Sequence, residues 1–179
     1  FNEAENMLND IERISPEHEE IFLQRANIFS KKKNDPKAIE FLKKALNVTE
    51  EPTEIWNLLG MEYLFQEDYI KAKKYFHKCV NENTLDYQSL YNLLYCYDQL
   101  GENIEAINTL NNLLEINPYS EVAWHQLGKI YIKINKPDEA LSAFEFAIIS
   151  DDCYTSAYIE KGKLLEQMGR INEAIANYK

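Results

Sequence analysis

The sequence predicts an all-α fold: an α–α superhelical solenoid of stacked antiparallel helix pairs. Two observations carry this prediction. Apolar landmarks recur every 34 residues from one end of the chain to the other, as in Ala38, Ala72 and Ala106. A period of that size, built as helix–turn–helix, is the signature of a repeat array. The composition agrees, with 5 glycines and 5 prolines in 179 residues, no strand alternation and no Gly-rich phosphate loop.

Taken in order, residues 1–18 read as the second helix of a partial unit, ended by Ser15-Pro16. Residues 19–52, 53–86, 87–120 and 121–154 read as full units, and 155–179 as a further partial one. All 179 residues thus form a single array. The register starts and stops inside a unit, so the chain reads as a stretch of a longer array with uncapped ends. Each unit's first helix is carried by a bulky column (Phe22, Trp56, Leu90, Trp124, Tyr158) and an aromatic one (Phe29, Tyr63, Tyr97, Tyr131, then Leu165). The second helix carries the alanine column Ala4, Ala38, Ala72, Ala106, Ala140 and Ala174. A small residue is needed where two helices cross closely. One turn later come the space-filling Leu8, Leu42, Phe76, Leu110, Phe144 and Tyr178. Burial of Trp56 and Trp124 is expected to dominate stability, at about 3–5 kcal/mol for truncation to alanine.

The turns fit the same partition. Gly101, Gly169 and Asn135 occupy the column where a left-handed residue ends the first helix. Asp35-Pro36 and Pro137 suit the start of the second helix, where a missing N–H costs little. Thr53, Asp86, Ser120 and Thr155 are the expected N-caps of the first helices.

A net charge of −11 argues against nucleic acid as a partner, because phosphate binding needs clustered Lys and Arg. The local lysine clusters, such as Lys31, Lys32 and Lys33, read as solvated helix faces. Cys79, Cys96 and Cys153 are odd in number and widely spaced, so they give neither a disulfide framework nor a zinc site. Cys79 reads as a small buried residue, and free thiols point towards a reducing, cytoplasmic compartment. No run reaches the length of a membrane span, so membrane insertion is not expected. His18, His77 and His125 lie out of phase with one another, and Ser and Cys have no His partner in the columns. No catalytic, cofactor-binding or metal residue is assigned, and the chain is read as not an enzyme.

Trp124-Leu127-Gly128-Tyr131, the matching Trp56-Leu59-Gly60-Tyr63, the alanine column and the Phe144/Ala147 pair together resemble the tetratricopeptide repeat (TPR). The resemblance spans essentially the whole chain. There are departures: Ala26 and Leu94 replace the glycine of Gly60, Gly128 and Gly162, while Arg25 and Lys161 replace leucine and are expected to snorkel. Glu50, Thr84 and Asp152 replace the terminal proline.

The resemblance implies a concave surface lined by first helices that receives an extended peptide or a partner's helix. Projected from the repeat phase, its candidate lining residues are Asn57, Met61, Tyr91, Asn92, Tyr95, His125, Gln126, Lys129 and Lys163. Leu23, Asn27, Phe65, Ile159 and Glu160 share that phase. Tyr91, Tyr95 and Met61 would form an adaptable apolar patch, and Asn57, Asn92 and Gln126 would bond a peptide backbone. Some members of the family clamp a chaperone's C-terminal carboxylate with Lys, Asn and Arg. None of the three triplets of units supplies those cations, so that activity is disfavoured. The leading expectation is a non-catalytic scaffold that binds a protein or peptide in the groove. The alternatives are a substrate-docking arm of a larger enzyme or sensor, and self-association through uncapped ends.

Overall fold

The computed structural model describes residues 18–83 and 86–178. Among them are ten helices and no strand. They are α1 (Glu19–Lys31), α2 (Asp35–Leu46), α3 (Thr53–Phe65), α4 (Tyr69–Glu82) and α5 (Tyr87–Leu100), then α6 (Asn103–Ile116), α7 (Glu121–Lys133), α8 (Pro137–Ser150), α9 (Thr155–Gln167) and α10 (Ile171–Asn177). The chain forms two compact units, Phe1–Leu100 and Gly101–Lys179. In the first, α1 packs on α2, α2 on α3, α3 on α4 and α4 on α5. In the second, the order is α6 on α7, α7 on α8, α8 on α9 and α9 on α10. Each unit is a stack of helices that are neighbours in sequence, as an all-α solenoid of stacked helix pairs requires. The expected helix over residues 1–18, with Ala4 and Leu8, lies outside the described residues.

The alanine column is buried throughout the described residues. Ala38, Ala72 and Ala140 are 0% exposed, Ala106 4% and Ala174 2%. The glycine column explains how the first helix comes close. A methyl group on Gly60 would lie 2.7 Å from the Phe76 ring, and one on Gly128 would lie 2.5 Å from that of Phe144. Tyr178 meets Gly162 in the same way. Glycine therefore goes with an aromatic residue sixteen positions on. Where the sequence has Ala26 or Leu94, the residue sixteen positions on is the smaller Leu42 or Leu110.

The left-handed column is fuller than glycine alone suggests. Gly101 (φ 73), Gly169 (φ 74) and Asn135 (φ 59) occupy it as expected, and so do Lys33 (φ 55) and Glu67 (φ 57). The carbonyl of the aromatic-column residue closes the turn. Phe29 accepts from the N–H of Asn34 at 2.8 Å, Tyr63 from Asp68 at 2.9 Å, and Tyr131 from Lys136 at 2.8 Å. This is the Schellman arrangement, which satisfies helix-end carbonyls that would otherwise lack partners. Asn34 and Asp68 then turn their side chains to the next helix and accept from the backbones of Lys37 and Lys71. Pro36 and Pro137 sit in the first turn of α2 and α8.

Three expectations are corrected. Asp86 and Ser120 do cap, accepting from Ser89 N at 3.2 Å and Ala123 N at 3.3 Å. Thr53 and Thr155 are instead the first residues of helices that start one residue earlier than expected, behind Pro52 and Tyr154, neither of which has a side-chain cap bond. Trp56 and Trp124 are half-buried rather than core residues. Trp124 stacks on Phe146, with ring centroids 4.7 Å apart, and its indole N–H donates to the Pro118 carbonyl at 2.8 Å. Such an indole covers the unit's flank with one edge held by a backbone acceptor. The fully buried large side chains are Phe76, Phe144, Ile55, Leu59, Leu90, Leu93 and Leu110.

The polar replacements behave as snorkelling predicts. The Arg25 guanidinium lies 5.6 Å from the centroid of the Phe41 ring, and Lys161 reaches Glu145 at 3.0 Å. Cys79 is fully buried, with its thiol donating to the Thr53 carbonyl. The three thiols are free.

Candidate functional site

The first unit brings five of the nine candidate residues together. Asn57 and Met61 stand one turn apart on α3, and Tyr91, Asn92 and Tyr95 lie on α5. The Asn57 amide donates to the Ser89 hydroxyl at 3.0 Å, and the Asn92 amide to the Met61 sulfur at 3.5 Å. Both amides thereby tie α3 to α5, a role the repeat phase alone does not reveal. The tyrosines stand out from this tied base: Tyr91 is 39% exposed and Tyr95 48%, and Tyr95 meets the edge of Tyr69 at 6.1 Å. Leu58 and Phe65 of α3 are also exposed. The result is an apolar face with phenolic tips over a hydrogen-bonded floor, which suits adaptable contact with another chain.

The other four lie on two helices of the second unit, His125, Gln126 and Lys129 on α7 and Lys163 on α9. Lys129 and Lys163 are exposed, and Lys163 pairs with Glu160 at 3.0 Å. Gln126 is half-buried. His125 is placed differently from the expectation of an open lining residue, since it is only 8% exposed. Its ring lies 5.8 Å from that of Phe144 and 5.4 Å from that of Tyr154, whose hydroxyl approaches Nδ1 at 3.5 Å. Burial holds the imidazole below its ordinary pKa, and Lys129 lowers it further while Glu160 opposes. His125 is thus a packing residue whose surroundings favour the neutral ring. The phase places it on the lining face of α7, but aromatic neighbours from α8 and the following turn enclose it.

Sequence reasoning missed one feature, a cleft of about 350 Å³ between α1 and α3 in the first unit. Leu23, Asn27 and Leu58 line it beside Glu62. Glu62 is 6% exposed, buried among residues of the described core. A carboxylate inside a helix face looks like any solvated acidic residue in the sequence. The signal that marks it is positional, because Glu62 directly precedes the aromatic-column residue Tyr63. Burial pushes its carboxyl above the ordinary range, a bond from Ser30 pulls it back, and Asp35 adds to the rise.

Elsewhere, Asp151, Asp152 and Cys153 lie together in the turn before α9. The turn is explained by the Cys153 N–H donating to Asp151 at 2.9 Å. Asp152, by a hydrogen bond and by its charge, and Asp151 by its charge, raise the thiol above its ordinary range, which disfavours the thiolate a metal would need. Among the described residues no helix is long and apolar enough to cross a membrane.

Comparisons with known proteins agree with this architecture. A family model described as "Tetratricopeptide repeat" matches residues 53–83, 87–120, 122–148 and 155–179. Anaphase-promoting complex subunit 3 of Schizosaccharomyces pombe is 28% identical over 140 residues, covering 78% of this chain and 21% of that protein. Protein bimA of Emericella nidulans is 29% identical over 115 residues, covering 64% of this chain and 14% of its own length. The chain thus spans about a fifth or less of these relatives. Among solved structures, MamA is similar with a TM-score of 0.67 at 24% identity, covering 89% of this chain and 87% of that one. A tetratricopeptide repeat protein from Parabacteroides merdae gives a TM-score of 0.72 at 22% identity, covering 89% and 64%. YrrB, described as a TPR protein with an unusual peptide-binding site, gives 0.64 at 22%, covering 95% and 88%. At these identities the structures speak for the fold alone, and the family match supports a protein–protein interaction scaffold. With its register of alanine, glycine and left-handed columns, the chain belongs to the tetratricopeptide repeat family.

Proposed function

We propose that this chain is a non-catalytic scaffold that holds a peptide or partner protein against the first-helix faces of its repeats. The observation that carries the reading is the exposed pair Tyr91 and Tyr95 above the Asn57, Met61 and Asn92 floor. Aromatic residues with polar tips give large contact area at little entropic cost. In the second unit Lys129 adds an exposed cation, while Lys163 is paired with Glu160. The peptide-binding description of YrrB supports the same mode. We read all 179 residues as a single array of repeats, since the alanine and left-handed columns run through the boundary between the units without a gap. The net charge of −11 supports a protein partner over nucleic acid.

The test is a displayed peptide library selected on the whole chain, with the recovered binders titrated against Tyr95→Ala and Lys129→Ala. Loss of at least about tenfold in affinity in either variant is expected, which is about 1.4 kcal/mol. Unchanged affinity in both variants sinks the assignment. A second reading, a docking arm within a larger assembly, is supported by the small share of the subunit-type relative that this stretch covers. Flanking sequence made only of further repeats would remove the enzyme or sensor version of it.

A further inference from the structure

The cleft between α1 and α3 is walled by the apolar side chains of Leu23 and Leu58 and carries three carboxylates, Glu20, Glu54 and Glu62. Acidic residues at a surface are ordinary. Glu62 is not, because it is 6% exposed and its Oε2 has no hydrogen-bond partner among the described residues. Its carboxyl receives a bond from the Ser30 side chain, and the other charge acting on it, Asp35, is also negative. A buried carboxylate with one hydroxyl donor and anionic neighbours is left under-compensated, and such a group normally has a cation or several donors. Glu62 lines a cleft that opens to solvent, with Oε2 itself shielded from water, so a cationic head reaches it only as the carboxyl turns into the cleft.

We propose that the α1–α3 cleft is a pocket for one lysine or arginine side chain of a bound peptide, whose cationic head pairs with Glu62. The dimensions and lining fit that occupant. About 350 Å³ is at the small end of ligand sites and admits a single long side chain rather than a packed helix. The methylene stem lies along Leu23 and Leu58, as such stems do on apolar surface, while Glu20 and Glu54 attract the charge to the mouth. The inference rests on the peptide-scaffold reading and narrows it, because it gives the array a preference for a basic residue at one point of the bound chain.

The test needs no natural partner. The ¹⁵N-labelled chain is titrated with N-acetyl-arginine amide, N-acetyl-lysine amide and N-acetyl-norleucine amide, following the backbone amides of Ser30, Leu58 and Glu62. Saturable shifts with a cationic compound, at least about tenfold stronger than with norleucine, and their loss in Glu62→Gln, are expected. An equal response to norleucine, or no saturable response to either cation, overturns the proposal on the wild-type chain alone. So does discrimination retained by a folded Glu62→Gln. Tyr95→Ala, on α5, should leave this titration unchanged while weakening library peptides. Failure of the pocket and failure of the wider groove are thereby read separately.

Discussion

At the scale of single residues, position in the repeat and burial separate packing from binding. The two tryptophans invite the reading of core anchors, yet each lies half-buried on the flank. Phe144, by contrast, is 0% exposed and fills the space left by Gly128. Urea denaturation should therefore cost Phe144→Ala about 3–5 kcal/mol and Trp124→Ala less than half of that. A larger loss for Trp124→Ala would restore the tryptophan column as the core. Glu62 makes a prediction of opposite sign. Burial holds its folded carboxyl above the unfolded value. Below the unfolded value both states are protonated and no penalty exists, and above the folded value both are ionised and the penalty is complete. Glu62→Gln should thus stabilise the chain at neutral pH by about 1 kcal/mol. The gain should fade as pH falls through the raised folded value into the ordinary carboxylate range. Thermal melts of both proteins from pH 7 to pH 4 check this, and a gain that grew on acidification would contradict it.

At the scale of the helix, much was legible in the sequence. Periodicity alone locates ten described helices and their turns, because each column answers a local steric demand. The alanine column marks close crossings, and Pro36 and Pro137 mark helix starts. What was illegible follows from interactions between columns. Lys33 and Glu67 adopt left-handed backbone because the Schellman turn and the following cap require it, although nothing in their chemistry announces it. Thr53 and Thr155 are good caps by type, but the helices begin one residue earlier than that. His125 shows the same limit within the site, since the phase assigns its face and neighbours decide its burial. The glycine–aromatic pairing yields the element-scale prediction. Gly60→Ala places a methyl group 2.7 Å from the Phe76 ring and should cost about 1–2 kcal/mol. Combined with Phe76→Leu, which recreates the Ala26/Leu42 pairing, the loss should be clearly less than the sum. Strict additivity in a denaturant-based double-mutant cycle would show that the two columns are independent.

For the whole molecule, charge sets the terms. The ion pairs that are present, such as Lys44 with Glu40 and Lys136 with Glu139, are largely solvent-exposed and each contributes little, about 0–1 kcal/mol. A net charge of −11 gives repulsion that such pairs do not offset. Raising sodium chloride from low to near-physiological concentration should raise the melting temperature by a few degrees, since screening acts on the repulsion over about a Debye length. A fall in melting temperature would mean that the local pairs outweigh the net field.

The glycine–aromatic match has a consequence for how such a chain can change over generations. Both partners lie inside one 34-residue unit, sixteen positions apart, so a duplicated or exchanged unit brings its own solution to close packing. The Glu62 cleft is shared instead between two units, as are the Asn57–Ser89 and Asn92–Met61 bonds. Shuffling whole units would thus preserve foldability while rewriting what the surface recognises. Stability is inherited by the repeat, and specificity by the order in which repeats are strung.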